Sequence, residues 1–204
     1  MDTIILERGL LAVHDLNQSG HYIPKVSFNV VANRLEEPDL PDIIHQLSFD
    51  GTKVSFEVLE SVLIEEQSEQ FQSRVELLRD IGFGIEVDDF GSGHASIIGL
   101  TKLSPDTMKI DQRLVFPIVN SSAARKMMRA IVQIARSLDI GLTAEGVETA
   151  DHARICSEAG CDTLQGFFFA KPMSAENLKA FLDGYDAAQI REACLDTGFD
   201  KMRA

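Results

Sequence analysis

Six short runs rich in valine, isoleucine, phenylalanine and leucine recur along the chain, each followed by a segment with helical spacing. This alternation constrains the fold more than any other feature. Strands joined by helix-length connections pair in parallel, and a parallel sheet must be covered by helices. The runs predict strands at 25–31, 53–60, the stretch opening at Gly84, 107–111, 141–147 and 161–169. Helices are predicted over 3–18, with Ile5, Leu6, Leu10, Val13 and Leu16 as its apolar positions, and over 39–47, 65–81, 95–103, 121–138 and 150–159. Further helices are predicted from Ser174 to about residue 182 and over 185–195. In the helix at 121–138, Met128, Ile131, Ile134, Ala135 and Leu138 share one face, and Ser121 or Ser122 stands at the N-cap. Gly160 is placed as the residue just past a helix end. No sequence repeat, linker or low-complexity tract interrupts the pattern. An open doubly wound sheet and a (β/α) barrel both satisfy it.

The ends of the strands favour the barrel. Polar residues recur there, namely Glu60, Asp88, Asp89, Asp111, Glu145 and Gln165, and a barrel builds its site from the C-terminal ends of several strands. Neighbouring strand residues point to opposite faces, so Asp88 and Asp89 can serve one site only where the strand ends and the backbone turns. Gly91 and Gly93 permit such a turn. Asp-Asp-x-Gly is also ordinary turn chemistry, and the pair alone leaves both readings open. Single residues are equally ambiguous. Asn29 reads as a core or turn amide and Lys109 as a solvated strand residue. Glu57 lies between Phe56 and Val58, where an unpaired carboxylate is costly if both sheet faces are covered.

Composition limits the chemistry. The content, 45% hydrophobic and 25% charged, is that of a soluble globular chain, most simply one domain. No apolar run reaches membrane-spanning length and no signal-peptide pattern opens the chain. The net charge of −13 argues against a polymer nucleic-acid surface. Cys156, Cys161 and Cys194 lack metal spacing and read as buried or idle thiols in a reducing cytoplasm. Histidines lack metal-binding pairs. Gathered on one face, Asn29, Glu57, Asp88, Asp89 and Glu145 would form an all-oxygen set suited to Mg²⁺ or Mn²⁺. Asp88 could then bridge two ions, and Lys109 could orient water or offset charge on a phosphoryl group.

With these motifs in order, the chain resembles the EAL domain family, bacterial phosphodiesterases that linearise cyclic di-GMP. The resemblance rests on Ser27-Phe28-Asn29-Val30, Glu57-Val58-Leu59-Glu60, Asp88-Asp89-Phe90-Gly91-Ser92-Gly93, Lys109-Ile110-Asp111, Ala144-Glu145-Gly146-Val147-Glu148, Gln165-Gly166-Phe167 and Lys171-Pro172-Met173. It implies a modified TIM-type (β/α) barrel and a two-metal site. Asn29, Glu57 and Asp88 would hold the first ion, and Asp88 and Asp89 the second, with Glu145 as ligand or water partner. Lys109 would position the nucleophilic water, with Gln165 and Asp111 toward substrate. Glu60 would tether the loop after Asp89, and Glu148 would be a supporting acid. The resemblance also implies a cytoplasmic bacterial protein, a homodimer, and an upstream sensory or GGDEF-type domain in a longer native chain.

The chain departs from the family at one telling place. No Glu-Ala-Leu tripeptide occurs in it. The expectation is therefore a domain over 1–184 that is incomplete at its N-terminus, with about six of the eight strands of a full barrel, and a helical tail over 185–204. Ser92 in place of threonine and His94 in place of an aromatic are smaller departures. A competing expectation is a non-catalytic module that binds cyclic di-GMP or a protein partner.

Overall fold

The strands form in runs rich in β-branched and aromatic residues, which suit a pleated, half-buried surface. The structure is a computed structural model that describes residues 3–35, 37, 40, 51–63, 69–93, 96–186, 188 and 192. It divides into two compact units, residues 1–107 and 108–204.

In the first unit, α1 (Thr3–Gln18) buries Leu6, Leu10, Val13 and Leu16 at helical spacing. Ile5, expected on the same face, is instead exposed, one step of about 100° off the stripe. Three strands follow, β1 (Lys25–Asn29), β2 (Lys53–Leu59) and β3 (Gly84–Phe90), paired in parallel in chain order. The register aligns Asn29 with Glu57, Glu57 with Glu86, and Leu59 with Asp88. Because side chains alternate along each strand, the two faces differ sharply. One carries Val54, Phe56, Val58, Ile85 and Val87, all buried, with Phe56 stacked 5.1 Å from Phe83. Each such burial stabilises the fold by about 1.5–3 kcal/mol. The other face carries Ser27, Asn29, Ser55, Glu57, Glu86 and Asp88.

A single helical turn, α2 (Ala32–Leu35), follows β1, and a 3₁₀ turn at Glu60–Leu63 follows β2. Helix α3 (Glu69–Asp80) buries Phe71, Val75 and Leu78, the stripe read from the sequence. Helix α4 (Ile97–Leu103) is capped by Ser96, whose hydroxyl accepts from the Gly99 N–H. Arg79 of α3 donates to the carbonyls of Leu103 and Ser104, which closes the open end of α4. The helix predicted at 39–47 lies outside the described residues apart from Leu40, as does the start of the one predicted at 65–81.

The second unit holds β4 (Thr107–Ile110), which opens on the last residue of the first, then β5 (Gly141–Ala144) and β6 (Thr163–Leu164), again adjacent in chain order. Short α5 (Gln112–Val115) and a 3₁₀ turn at Phe116–Val119 lead into α6 (Ser122–Ser137). Ser121 caps α6 by accepting from the Ala124 N–H, and Met128, Ile131, Val132 and Ala135 form its buried stripe. Helix α7 (Ala150–Ala159) is capped by Thr149 and α8 (Ala175–Asp183) by Ser174. No residue of α8 is buried.

The strands end short of their sequence reading, β1 at Asn29, β2 at Leu59 and β4 at Ile110, and the largest shortfalls are in β5 and β6. β5 stops at Ala144 because Gly146 turns the chain at φ 66°, where a Cβ would overlap Gln112. β6 stops at Leu164, and two residues on Gly166 lies against the Val147 backbone, where a Cβ would overlap it. The Phe167-Phe168-Phe169 run is therefore a turn, in which Phe169 and Ala170 donate to the Gly166 carbonyl.

Candidate active site

The polar face of the first unit is built by strand alternation. Asn29 ends β1 exposed, and its register partner Glu57 is 9% exposed. Asp88 and Asp89 stand just before Phe90, the last residue of β3, both half-buried. The turn read after this pair is present at Gly91–Gly93, and the structure adds a left-handed residue just before it, inside the strand. Asp89 has φ 56°, a left-handed conformation that aspartate adopts more readily than most non-glycine residues. This reverses the alternation for one residue, and the two carboxylates come within 4.8 Å of each other.

The turn beyond is fixed by Glu60. Its carboxylate, 1% exposed, accepts from the Gly91 N–H at 3.1 Å and from the Ser92 hydroxyl at 2.6 Å. Glu60 does not belong to β2 but opens the 3₁₀ turn that follows it. There it reaches across to the end of β3.

Glu86 is a residue that sequence reasoning missed. It is 2% exposed and accepts from the Ser27 hydroxyl at 3.0 Å and from Lys25 Nζ at 2.6 Å. It thereby ties β1 to β3 across β2, one row before Asp88. The signal was present, since Gly84, Glu86 and Asp88 alternate in phase with Ser55 and Glu57. Without the register, however, the phase of one strand against the next is not visible.

In the second unit, Lys109 sits near the end of β4 at 5% exposure, its ammonium 2.8 Å from a carboxylate oxygen of Glu145. Read alone it suits a solvated strand; in the fold it is a buried ion-pair partner. An ammonium so enclosed is strongly destabilising unless paired. Glu145 lies one residue past β5, its N–H donating to the Ile110 carbonyl, which sets it beside the end of β4. Asp111 follows β4 and caps α5. Its carboxylate accepts from the Arg113 N–H at 2.7 Å and from the Arg113 guanidinium at 3.0 and 2.8 Å.

Glu148 is exposed, and its N–H donates to Nδ1 of His152. That leaves Nε2–H to donate to the Phe116 carbonyl. His152, not singled out in the sequence, thus braces the turn that carries Glu145 and Glu148. Gln165 is exposed just past β6, with its backbone bonded to Ala144 and Val147.

Comparison with known proteins places this arrangement. The EAL domain family model matches residues 1–172. Cyclic di-GMP phosphodiesterase NbdA of Pseudomonas aeruginosa is 31% identical over 194 residues, which is 92% of this chain and 25% of that protein. The chain spans about a fifth to a quarter of the length of the curated relatives it matches. Among solved structures, the EAL domain of Mycobacterium smegmatis DcpA superposes with a TM-score of 0.76 at 26% identity, covering 88% of this chain and 82% of that one. BlrP1 of Klebsiella pneumoniae, in its manganese and cyclic di-GMP complex, gives a TM-score of 0.72 at 27% identity over 83% of this chain and 44% of that one. The fold class is thus the TIM-like barrel type of these domains, with six strands among the described residues. The chain belongs to the EAL domain family.

Proposed function

We propose that this domain is a metal-dependent phosphodiesterase that opens cyclic di-GMP to linear pGpG. The observation that carries the reading is the oxygen-bearing face of the first unit, with Asn29 beside Glu57 and the turned pair Asp88 and Asp89. Hard oxygen donors of this kind fit Mg²⁺ or Mn²⁺. Two such ions, when bound, would neutralise phosphate charge and acidify water for attack. Asn29, Glu57 and Asp88 would hold the first, Asp88 and Asp89 the second, and Glu145 would act as ligand or as base toward the water. Lys109, steadied by Glu145, would orient that water and offset charge developing on the phosphoryl oxygens. Gln165 and Asp111 would face the substrate, while Glu60 and Glu148 support the loops that carry the reacting groups.

The test is an incubation with cyclic di-GMP and Mg²⁺ or Mn²⁺, separating products by chromatography. Because the chain carries no Glu-Ala-Leu tripeptide, it lacks the glutamate of that motif, and its own turnover is expected to be low. A chain extended by a Glu-Ala-Leu strand is expected to release pGpG; no product from it would sink the proposal. A second reading is a non-catalytic module. Saturable binding of cyclic di-GMP without turnover in the extended chain would select that reading.

Further parts of the proposal are a family domain over 1–184 with a tail over 185–204, a sensory or GGDEF-type domain upstream, and a cytoplasmic location. A homodimer is supported by the exposed Ile97 and Ile98 on α4. No helix among the described residues is long and apolar enough to cross a membrane.

A further inference from the structure

Helix α7 ends in a Schellman turn. Gly160 is left-handed at φ 106°, its N–H donates to the Ser157 carbonyl at 3.0 Å, and the Cys161 N–H donates to the Cys156 carbonyl at 3.1 Å. In this motif the side chains at the two ends of the longer hydrogen bond pack on each other, a contact normally made by two apolar residues. Here both are cysteines. An N···O link of this length holds their Cα atoms within roughly 7 Å, and disulfides span about 4.4–6.8 Å. Cys156 is fully buried, whereas Cys161 is half-buried, with its Sγ 4.0 Å from Sδ of Met128.

We infer that Cys156 and Cys161 form a redox-active dithiol, in which Cys161 is the nucleophile toward a peroxide and Cys156 the resolving thiol. The Cys161 thiolate attacks one oxygen of hydrogen peroxide, the O–O bond breaks, and the products are a sulfenic acid and water. The Cys156 sulfur then attacks the sulfenic sulfur, losing its proton and releasing a second water as the disulfide forms. Two thiols and one peroxide give one disulfide and two waters. The division of roles follows from the environment. The hydrogen bond with Cys161 raises Cys156 far above the ordinary thiol range, and burial adds to this. The same hydrogen bond lowers Cys161, helped by Arg136 and opposed by burial and by Asp162. The disulfide would lock the end of α7 to the residue before Asp162, whose carboxylate holds the start of β5.

The sequence makes the test clean. Trypsin releases both cysteines in one peptide, Ile155–Lys179, because Pro172 protects the bond after Lys171, and Cys194 falls in another. After hydrogen peroxide treatment of the folded chain and alkylation, that peptide is expected to lose two hydrogens and to take up no alkylating agent, reversibly with dithiothreitol. Cys156→Ala should then show a sulfenic acid at Cys161 that dimedone traps. Cys161→Ala should react with peroxide at least about tenfold more slowly. Sulfinic acid at Cys161 of the unmodified sequence without the two-hydrogen loss, or equal reactivity of the two single variants, overturns the assignment.

Discussion

The two units place their polar residues by different means. In the first, the strands are five to seven residues long, and Asn29, Glu57, Glu86 and Asp88 are positioned by alternation along them. In the second, the strands are two to four residues long, and Asp111, Glu145 and Gln165 all lie just past a strand's last residue. Lys109 is the exception. Long paired strands hold a side chain through their ladders, so the donors need little else. Short strands hand that task to the turns, and the turns are braced accordingly by Arg113, His152 and Gly146.

What the units share is a clasp. Asp106 precedes β4, and its N–H donates to the Ile85 carbonyl while its carboxylate accepts from the Ile85 N–H at 2.9 Å and from Lys53 at 3.1 Å. Asp162 precedes β6 and makes the same pair of bonds to Leu142, with Arg136 as its cation at 2.8 Å. Each aspartate grips the second residue of a strand. The sequence shows Asp-Thr at both places, too little to be legible as a repeat.

The largest test of the contrast is Asp88→Asn and, separately, Asp89→Asn, each made in the chain extended by a Glu-Ala-Leu strand. Cyclic di-GMP turnover is expected to fall by about 10³-fold, or roughly 4 kcal/mol of transition-state stabilisation. A loss under tenfold for either variant would show that in-strand placement does not carry the site. Next is Glu145→Ala, which leaves the Lys109 ammonium buried without this carboxylate. A stability loss of about 3 kcal/mol is expected in urea unfolding, and Lys109→Met with Glu145→Leu together should recover much of it. If the double variant is no better than the single, the pair is not the reason for the cost.

The clasps come third. Asp106→Ala and Asp162→Ala should each cost about 1–3 kcal/mol by stranding a strand N–H, and the two losses should match. Unequal losses would mean that the shared geometry conceals different burdens. The smallest effect is acid sensitivity. Burial alone would raise the Asp106 carboxyl, but the hydrogen bond from Ile85 and the charges of Lys53 and Arg79 bring it below the ordinary value of 3.8. A lowered carboxyl contributes stability that is present above its unfolded value and lost as pH falls through the folded one. The gap between native and Asp106→Asn proteins should therefore narrow on acidification through and below that region, as thermal melts would show.

The legible part of this protein was the part that acts locally. Strand and helix periods, the caps at Ser121, Ser174 and Gly160, and the oxygen donors at strand ends follow from neighbouring residues, because propensity and capping are short-range. The longest overreadings were the strands continued past Ala144 and Leu164. There, the apolar run Phe167-Phe168-Phe169 counted for more than the close approach of Gly166 to Val147, which joins residues far apart in sequence. Glu57 could be suspected from its apolar neighbours; Glu86, between Ile85 and Val87, offered the same hint and was passed over.

The sequence by itself determined the alternation of strands and helices, the family, and the chemical type of donor available to the site. Only the tertiary structure decided how those donors are held. The left-handed residue Asp89 falls inside its strand, Lys109 is buried against Glu145, and Glu86 fastens β1 to β3. The reason is physical. Identity and period are properties of a segment, whereas register, desolvation and ion pairing are properties of residues that the chain brings together only when it folds.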